Sequence, residues 1–300
     1  MPNHGGYEKC ERGSFISALV NAGLFLFKIF AGIVGHSNAM IADAFDTLGD
    51  VMTSTGMIVG FRIAKQPPDD HHPYGHGRAE SIIAKLLAIF LLLLGLKVAY
   101  NAVHAIHDGV VLSKTYTPGM IALVAAVVSI IGKLGLFQYL RVLNKGLSST
   151  SIMVYTWNIL SDVFSSLTAF IGIAGARFLN MPLLDPIAAL ILSMFIIRTG
   201  FEGFHKAYDE LMDAAPSNEI MSGIKEAALL NRNVKAIKGV KVRKMGLDLI
   251  IDMTIEVDKD ISVEDGHAIT EHITKDIMNK IPAANEVFIH VEPFRGKRRI

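Results

Sequence analysis

Six stretches of mostly apolar residues, each about the roughly 20-residue length of a helix that crosses a bilayer's hydrocarbon, occupy the first two thirds of this chain. They fall at 14–34, 39–64, 81–106, 118–140, 151–177 and 186–207. Short polar or Gly/Pro breaks separate them: Gly35-His36-Ser37-Asn38, the loop from Gln66 to Gly77, His107 to Thr117, Leu143 to Thr150, and Asn180 to Asp185. The whole chain of 300 residues is 51% hydrophobic and only 19% charged, which is too apolar for an ordinary soluble protein of this length. Arg62, Lys65, Arg78, Arg141, Lys145, Arg198 and Lys206 flank one set of segment ends, and the opposite loops carry little beyond Lys114 and Arg177. The positive-inside rule therefore puts both termini in the cytoplasm of a multi-pass protein of the cell membrane.

The charge is unevenly spread, with Lys, Asp and Glu crowding the region after Asp209. That asymmetry predicts two domains in two solvents: a tail at 1–13, a six-helix transmembrane domain at 14–208 and a cytoplasmic domain at 209–300. The tail lacks the basic start, short apolar core and cleavage site of a signal peptide. In the cytoplasmic domain, Ser217 is positioned to cap a helix to Leu230, and Val234 to Arg243 reads as a strand. From Leu247 to Asp258 apolar and polar residues alternate, the mark of a half-buried strand. Ser262 and Asp265 open a second helix to Lys280, and Val287 to Glu292 forms a last strand. The expected fold class is thus an α-helical membrane protein followed by a small αββαβ unit of the metallochaperone kind. A single cysteine, Cys10, excludes a disulfide framework or a thiolate metal site, so any metal is held by nitrogen and oxygen.

The second segment contains Asp43, Asp46 and Asp50, and the i, i+4 spacing of the last two puts them one turn apart on one helix face. Acids at membrane depth are costly enough to mark a functional site facing the bundle interior or a water-filled cavity. The fifth segment offers a matching face with Asn158 and Asp162, again one turn apart. Together Asp46, Asp50, Asn158 and Asp162 supply oxygen ligands that can replace much of a divalent cation's hydration shell. Without the ion, three mutually repelling, desolvated carboxylates would retain protons, so metal and protons would compete for the site. That competition is a mechanism for antiport. Lys28, Lys85, Lys97 and Lys133 also lie within apolar segments; snorkelling or structural ion pairing accounts for them, and no role is assigned.

The loop from Gln66 to Glu80 is dense in His and Asp, and Asp69, His72 and His76 form a second candidate metal site; the competing reading is a solvated turn set by Pro73 and Gly75. In the soluble domain His290 and Glu292 share a strand face, Asp252 lies on the wet face of its neighbour and His267 begins the last helix, which makes a surface metal site there a third candidate.

These features in this order resemble the cation diffusion facilitator family over nearly the whole chain. The resemblance rests on Asp46-x-x-x-Asp50, on His72-Pro-Tyr-Gly-His76-Gly-Arg78-x-Glu80, on Asn158-x-x-x-Asp162, on Asp185-Pro186 and on the αββαβ tail. It implies a homodimeric efflux transporter that exchanges a divalent transition metal for protons, with Asp46, Asp50, Asn158 and Asp162 at the transport site and a loop site at Asp69, His72 and His76. It also implies a charge interlock between Arg78 and Asp213, and a metal-sensing tail with ligand positions at His267, His290, Glu292 and Asp252. Zinc-transporting members usually place histidine where this chain has Asn158. An all-oxygen set suits harder ions, which favours Mn(II) or Fe(II) over Zn(II). Lys238 stands where a related branch has a metal-binding histidine, and its charge would weaken or abolish that site. The only cofactor expected is the metal ion as substrate; the partners are lipid, protons and a second copy, with no organic cofactor, enzyme activity or nucleic acid.

Two other classes compete. An intramembrane aspartyl protease also has acids in helices, but Thr47 breaks its Gly-x-Gly-Asp pattern. A non-transporting metal sensor or assembly partner gains nothing from paired buried acids that destabilise its bundle.

Overall fold

The computed structural model describes residues 4–64, 66, 68–107, 117–145, 150–246 and 248–295; the side chains of 4–14, 53, 57, 58, 60–62, 64, 143–145 and 150–158 lie outside that description. Six long helices come first: α1 (His4–Val34), α2 (Asn38–Ala64), α3 (Ala79–His107), α4 (Met120–Lys145), α5 (Thr150–Phe178) and α6 (Leu184–Leu211). The remainder is α7 (Asn218–Leu229), β1 (Ala236–Met245), β2 (Asp248–Val257), α8 (Val263–Lys280) and β3 (Ala284–Pro293), the αββαβ order expected. The largest difference from the expected bounds is α1, which starts ten residues before the apolar stretch at 14; its polar first turns contain no proline. The chain divides into two compact units, Met1–Ile58 with Ala84–Phe204, and Val59–Ile83 with His205–Ile300.

The first unit is built inside out relative to a soluble protein. Its buried core is dominated by small residues, among them Ala31, Ala39, Ala42, Ala122, Ala126 and Ala188, whereas Leu26, Phe30, Leu86, Leu93, Ile131 and Phe201 point outward. Lipid tails are as apolar as leucine, so large side chains lose nothing by facing them, and small ones inside let helices approach closely. Among the described residues five helices are long and apolar enough to cross a membrane. The sixth, α2, has 27 residues and is diluted by its three aspartates and by Thr, Ser and Gly positions. The start of α2 is fixed from a distance. Ser37 Oγ accepts from the Met40 amide at 3.1 Å and donates to Asp185 Oδ1 at 2.5 Å, while Asp185 Oδ2 accepts from the Asn38 amide at 2.7 Å. The Asp185-Pro186 motif thus joins the N-terminal end of α6 to that of α2.

In the second unit β2 is the central strand, antiparallel to β1 and parallel to β3. Leu249, Ile251, Met253, Ile255 and Val257 of β2 pack with Ile224 and Ala228 of α7 and Ile269, Ile273 and Ile277 of α8. The other face presents Asp252, Thr254 and Glu256. Ser262 caps α8 by accepting from the Asp265 amide at 3.0 Å, as the capping signal predicts. Ser217 occupies the N-cap position of α7, but its side chain makes no capping hydrogen bond. The pairing of β1 with β2 slips between Ile237 and Gly239, leaving Lys238 as the extra residue of a bulge.

Candidate metal transport site

The buried face of α1 carries Ser17, Asn21 and Lys28, and α2 faces the interior with Asp43 and Thr47. Asp43 and Lys28, both wholly buried, form an ion pair at 2.8 Å. The Lys28 ammonium also donates to Thr47 Oγ1 at 2.9 Å and Ser166 Oγ at 3.2 Å, and Ser166 Oγ donates to Asp43 Oδ1 at 3.0 Å. Asp43 is therefore committed to a structural pair, the reading given above for the membrane lysines.

One turn further along α2 the chemistry changes. Among the described residues Asp43, Asp46 and Asp50 each have a buried Oδ2 with no hydrogen-bond partner; that of Asp43 is ion-paired at 2.8 Å, whereas that of Asp50 has an ammonium no nearer than 3.9 Å. Asp162, from α5, and Asp50 both lie within 4 Å of one buried ammonium. The side chains of Asp50 and Asp162 are 35% and 19% exposed, so this acidic face is open on one side while its neighbours are sealed. Native proteins rarely leave buried carboxylate oxygens without hydrogen bonds, and two on adjacent turns make this face a candidate site for a cationic ligand. The sequence analysis assigned no role to a fourth charged group beside these acids. Lys133 of α4 is wholly buried, and its ammonium lies 3.5 Å from Asp162 Oδ2 and 3.9 Å from Asp50 Oδ2. The side chain of Asn158 lies outside the described residues, although its backbone belongs to α5.

The loop site is assembled. Asp69, His72 and His76 offer ligand atoms that all lie within 4.8 Å of one another, and they are the group of three or more His, Cys, Asp or Glu so placed among the described residues. The three transport-site aspartates do not meet that closely. Asp69 Oδ1 accepts from the amides of His72 at 2.6 Å and His71 at 2.9 Å, so the turn fixes the carboxylate first. These amides, His72 foremost, hold Asp69 below the usual carboxylate range. The rings of His72 and His76 lie 4.4 Å apart, and both border a cavity of about 350 Å³ that Tyr74, Arg78, Arg243 and Met245 also line. Gly75 takes a φ of 81°, which glycine adopts without strain, and allows the reversal that brings His76 back to Asp69. Within the same unit Arg78 Nη2 donates to Asp213 Oδ1 at 2.6 Å, which joins the interlock pair.

The four cytoplasmic candidates are not brought together within one chain. His290 Nε2 lies 3.9 Å from Glu292 Oε1, and Asp252 is on the same sheet face beside Phe288. His267 is on α8, which packs against the opposite, apolar face, and its Nε2 lies 3.7 Å from Glu271. Lys238, placed by the bulge, donates to Glu292 Oε2 at 2.6 Å and holds that carboxylate below its ordinary range. The best acidic ligand of this surface is already occupied by a cation.

Helices that bury small residues and expose large ones, around a partly open acidic site, define a multi-pass membrane protein that binds cations. Residues 14–212 match the cation efflux transmembrane domain and residues 216–294 the cytoplasmic domain of cation efflux proteins. The chain belongs to this family, the cation diffusion facilitators, and is a transporter rather than an enzyme. It is 29% identical to the manganese efflux system protein MneS of Bacillus subtilis, over 99% of this chain and 100% of that one. It is 32% identical to the magnetosome protein MamM of Magnetospirillum gryphiswaldense, over 96% of this chain and 90% of that one. Identity to the uncharacterized transporter YdbO of Bacillus subtilis is 31%, over 95% and 96%.

Proposed function

We propose that this protein exports a divalent transition metal from the cytoplasm in exchange for protons, with Mn(II) or Fe(II) preferred to Zn(II). The observation that carries the reading is the pair of buried carboxylate oxygens on Asp46 and Asp50 that lack hydrogen bonds among the described residues, with Asp162 and Asp50 flanking the Lys133 ammonium. Asp46, Asp50 and Asp162 bind the ion, and Asn158 contributes a neutral oxygen. Metal preference rests on the donor set, since oxygen ligands favour harder ions and imidazole favours zinc. Full-length similarity to a protein named for manganese efflux supports the same choice. Protons enter the cycle by taking the carboxylates that the metal leaves. Both termini face the cytoplasm, the domains divide near residue 208, and the cytoplasmic unit mediates homodimerisation. Asp69, His72 and His76 form an auxiliary metal site on the loop. The cytoplasmic positions His267, His290, Glu292 and Asp252 bind metal weakly, because Lys238 holds Glu292.

The test is proton movement in proteoliposomes challenged separately with Mn(II), Fe(II) under reducing conditions, Zn(II), Co(II) and Cd(II), with Asp50→Ala as control. Manganese or iron should drive it and Asp50→Ala should abolish it. A zinc response of equal size would defeat the selectivity argument, and silence with every metal would favour a sensor.

A further inference from the structure

The two wholly buried lysines of the bundle are held in different ways. Lys28 donates two hydrogen bonds, at 2.9 and 3.2 Å, and is ion-paired with Asp43 at 2.8 Å. Lys133 Nζ, equally buried, has no hydrogen-bond partner, and its contacts to Asp162 and Asp50 at 3.5 and 3.9 Å are Coulombic. An ammonium buried at membrane depth without hydrogen bonds is expensive, and side chains of that kind mark ion pathways. Its surroundings explain why it stays. Asp46, Asp50 and Asp162 carry three negative charges when ionised to receive metal, and Lys28 and Asp43 next to them cancel one another.

We infer that Lys133 is the resident cation of the transport site: it competes with the metal for Asp50 and Asp162, and so keeps the bound ion weak enough to be released. This inference rests on the reading that the three aspartates bind the transported metal. With Lys133 charged, three carboxylates and one ammonium leave two negative charges, which one divalent ion neutralises. Without it the site would hold three, and the metal would lose the repulsion of an ammonium a few ångströms away. Lys133 needs no change of protonation for this role. Lacking hydrogen bonds, its ammonium can move off the carboxylates as the metal arrives and return as it leaves. Lys28, tied by two hydrogen bonds and an ion pair at 2.8 Å, cannot do so.

The experiment uses purified full-length protein with Lys133→Met, Lys133→Gln, Lys133→Arg and Asp50→Ala. Mn(II) affinity is read from the paramagnetic resonance signal of free Mn(II), and Mn(II)-driven transport is read in proteoliposomes. The neutral variants should bind Mn(II) about tenfold or more tightly while their maximal transport rate falls. The arginine variant, which keeps the charge, should stay within about threefold of the parent affinity. Gln keeps a polar group in the pocket and covers the case in which Met prevents folding. A purely structural lysine would leave affinity unchanged or weaker in the neutral variants, and that result overturns the inference. If it occurs while Asp50→Ala abolishes binding, the transport-site reading survives alone; undiminished affinity in Asp50→Ala would remove both.

Discussion

Replacing Lys28 with methionine should destabilise the helix bundle far more than its conservative size suggests. The substitution keeps the apolar stem but leaves Asp43 wholly buried, with Ser166 Oγ at 3.0 Å as its remaining side-chain donor, and removes the ammonium 2.8 Å away. Removing one partner of a buried pair costs about 3–5 kcal/mol, because the other charge stays in a poorly polarisable interior. Thr47 and Ser166 each lose a donor as well, at about 1 kcal/mol apiece if nothing replaces it. Asp43→Asn alone should cost less, since the amide can still accept from Ser166. The double variant Lys28→Met with Asp43→Asn should recover about 2 kcal/mol or more relative to the sum of the singles, because neither charge is then left alone. Equilibrium unfolding in mixed micelles, followed by circular dichroism, measures all four corners of this cycle. Strictly additive losses would refute the idea that Lys28 and Asp43 are coupled. A loss below about 1 kcal/mol for Lys28→Met would mean that water reaches the pair.

Asn158→His should shift the preference of transport toward Zn(II), since it adds the imidazole ligand that zinc favours; competition between Mn(II) and Zn(II) in proteoliposomes checks this. Asp69→Ala should lower bound metal by one ion per chain while leaving metal-driven proton movement in place, as read by metal analysis beside the transport assay. The Asp69 carboxylate is stabilised by backbone amides in the folded loop, so its contribution is present above the ordinary carboxylate value of about 4 and is lost only as the pH falls below it. A carboxyl-carbon NMR titration should therefore give Asp69 a midpoint below that value. Lys238→His should free Glu292 and add a ligand beside His290, raising divalent-metal binding by the cytoplasmic unit; unchanged calorimetric titrations of Lys238→His against the parent would show that Lys238 is not what limits the site.

Local periodicity made much of this architecture legible. Segment length located the six long helices, alternation from Leu249 to Val257 identified the central strand, and i, i+4 spacing put Asp46 and Asp50 on one face. The charges that complete the polar interior were not legible, because Lys28 meets Ser166 across 138 positions and Lys133 reaches α2 and α5 only through packing. A lysine in an apolar segment was the available signal, and it does not distinguish a hydrogen-bonded ammonium from a loosely held one. The cytoplasmic candidates exposed a different limit. Residue type made His267 and His290 look alike, but the sheet separates α8 from the polar face of β2 and β3. Gly239 within a strand pattern was the usable hint of the bulge that presents Lys238 to Glu292.

The junction of Asp185 with Ser37 and Asn38 gives α2 a fulcrum. At about 1.5 Å per residue, Asp50 lies about 18 Å along the axis from Asn38 and Ile58 about 30 Å, so any tilt about that junction moves Ile58 roughly 1.7 times as far as the ligand. A small swing that just changes which side of the bundle Asp50 faces is thus amplified at Ile58, while the starts of α2 and α6 stay together at the pivot. Spin-label distances along α2 would read this gradient directly, and equal displacements at both ends would mean that the helix slides instead of tilting.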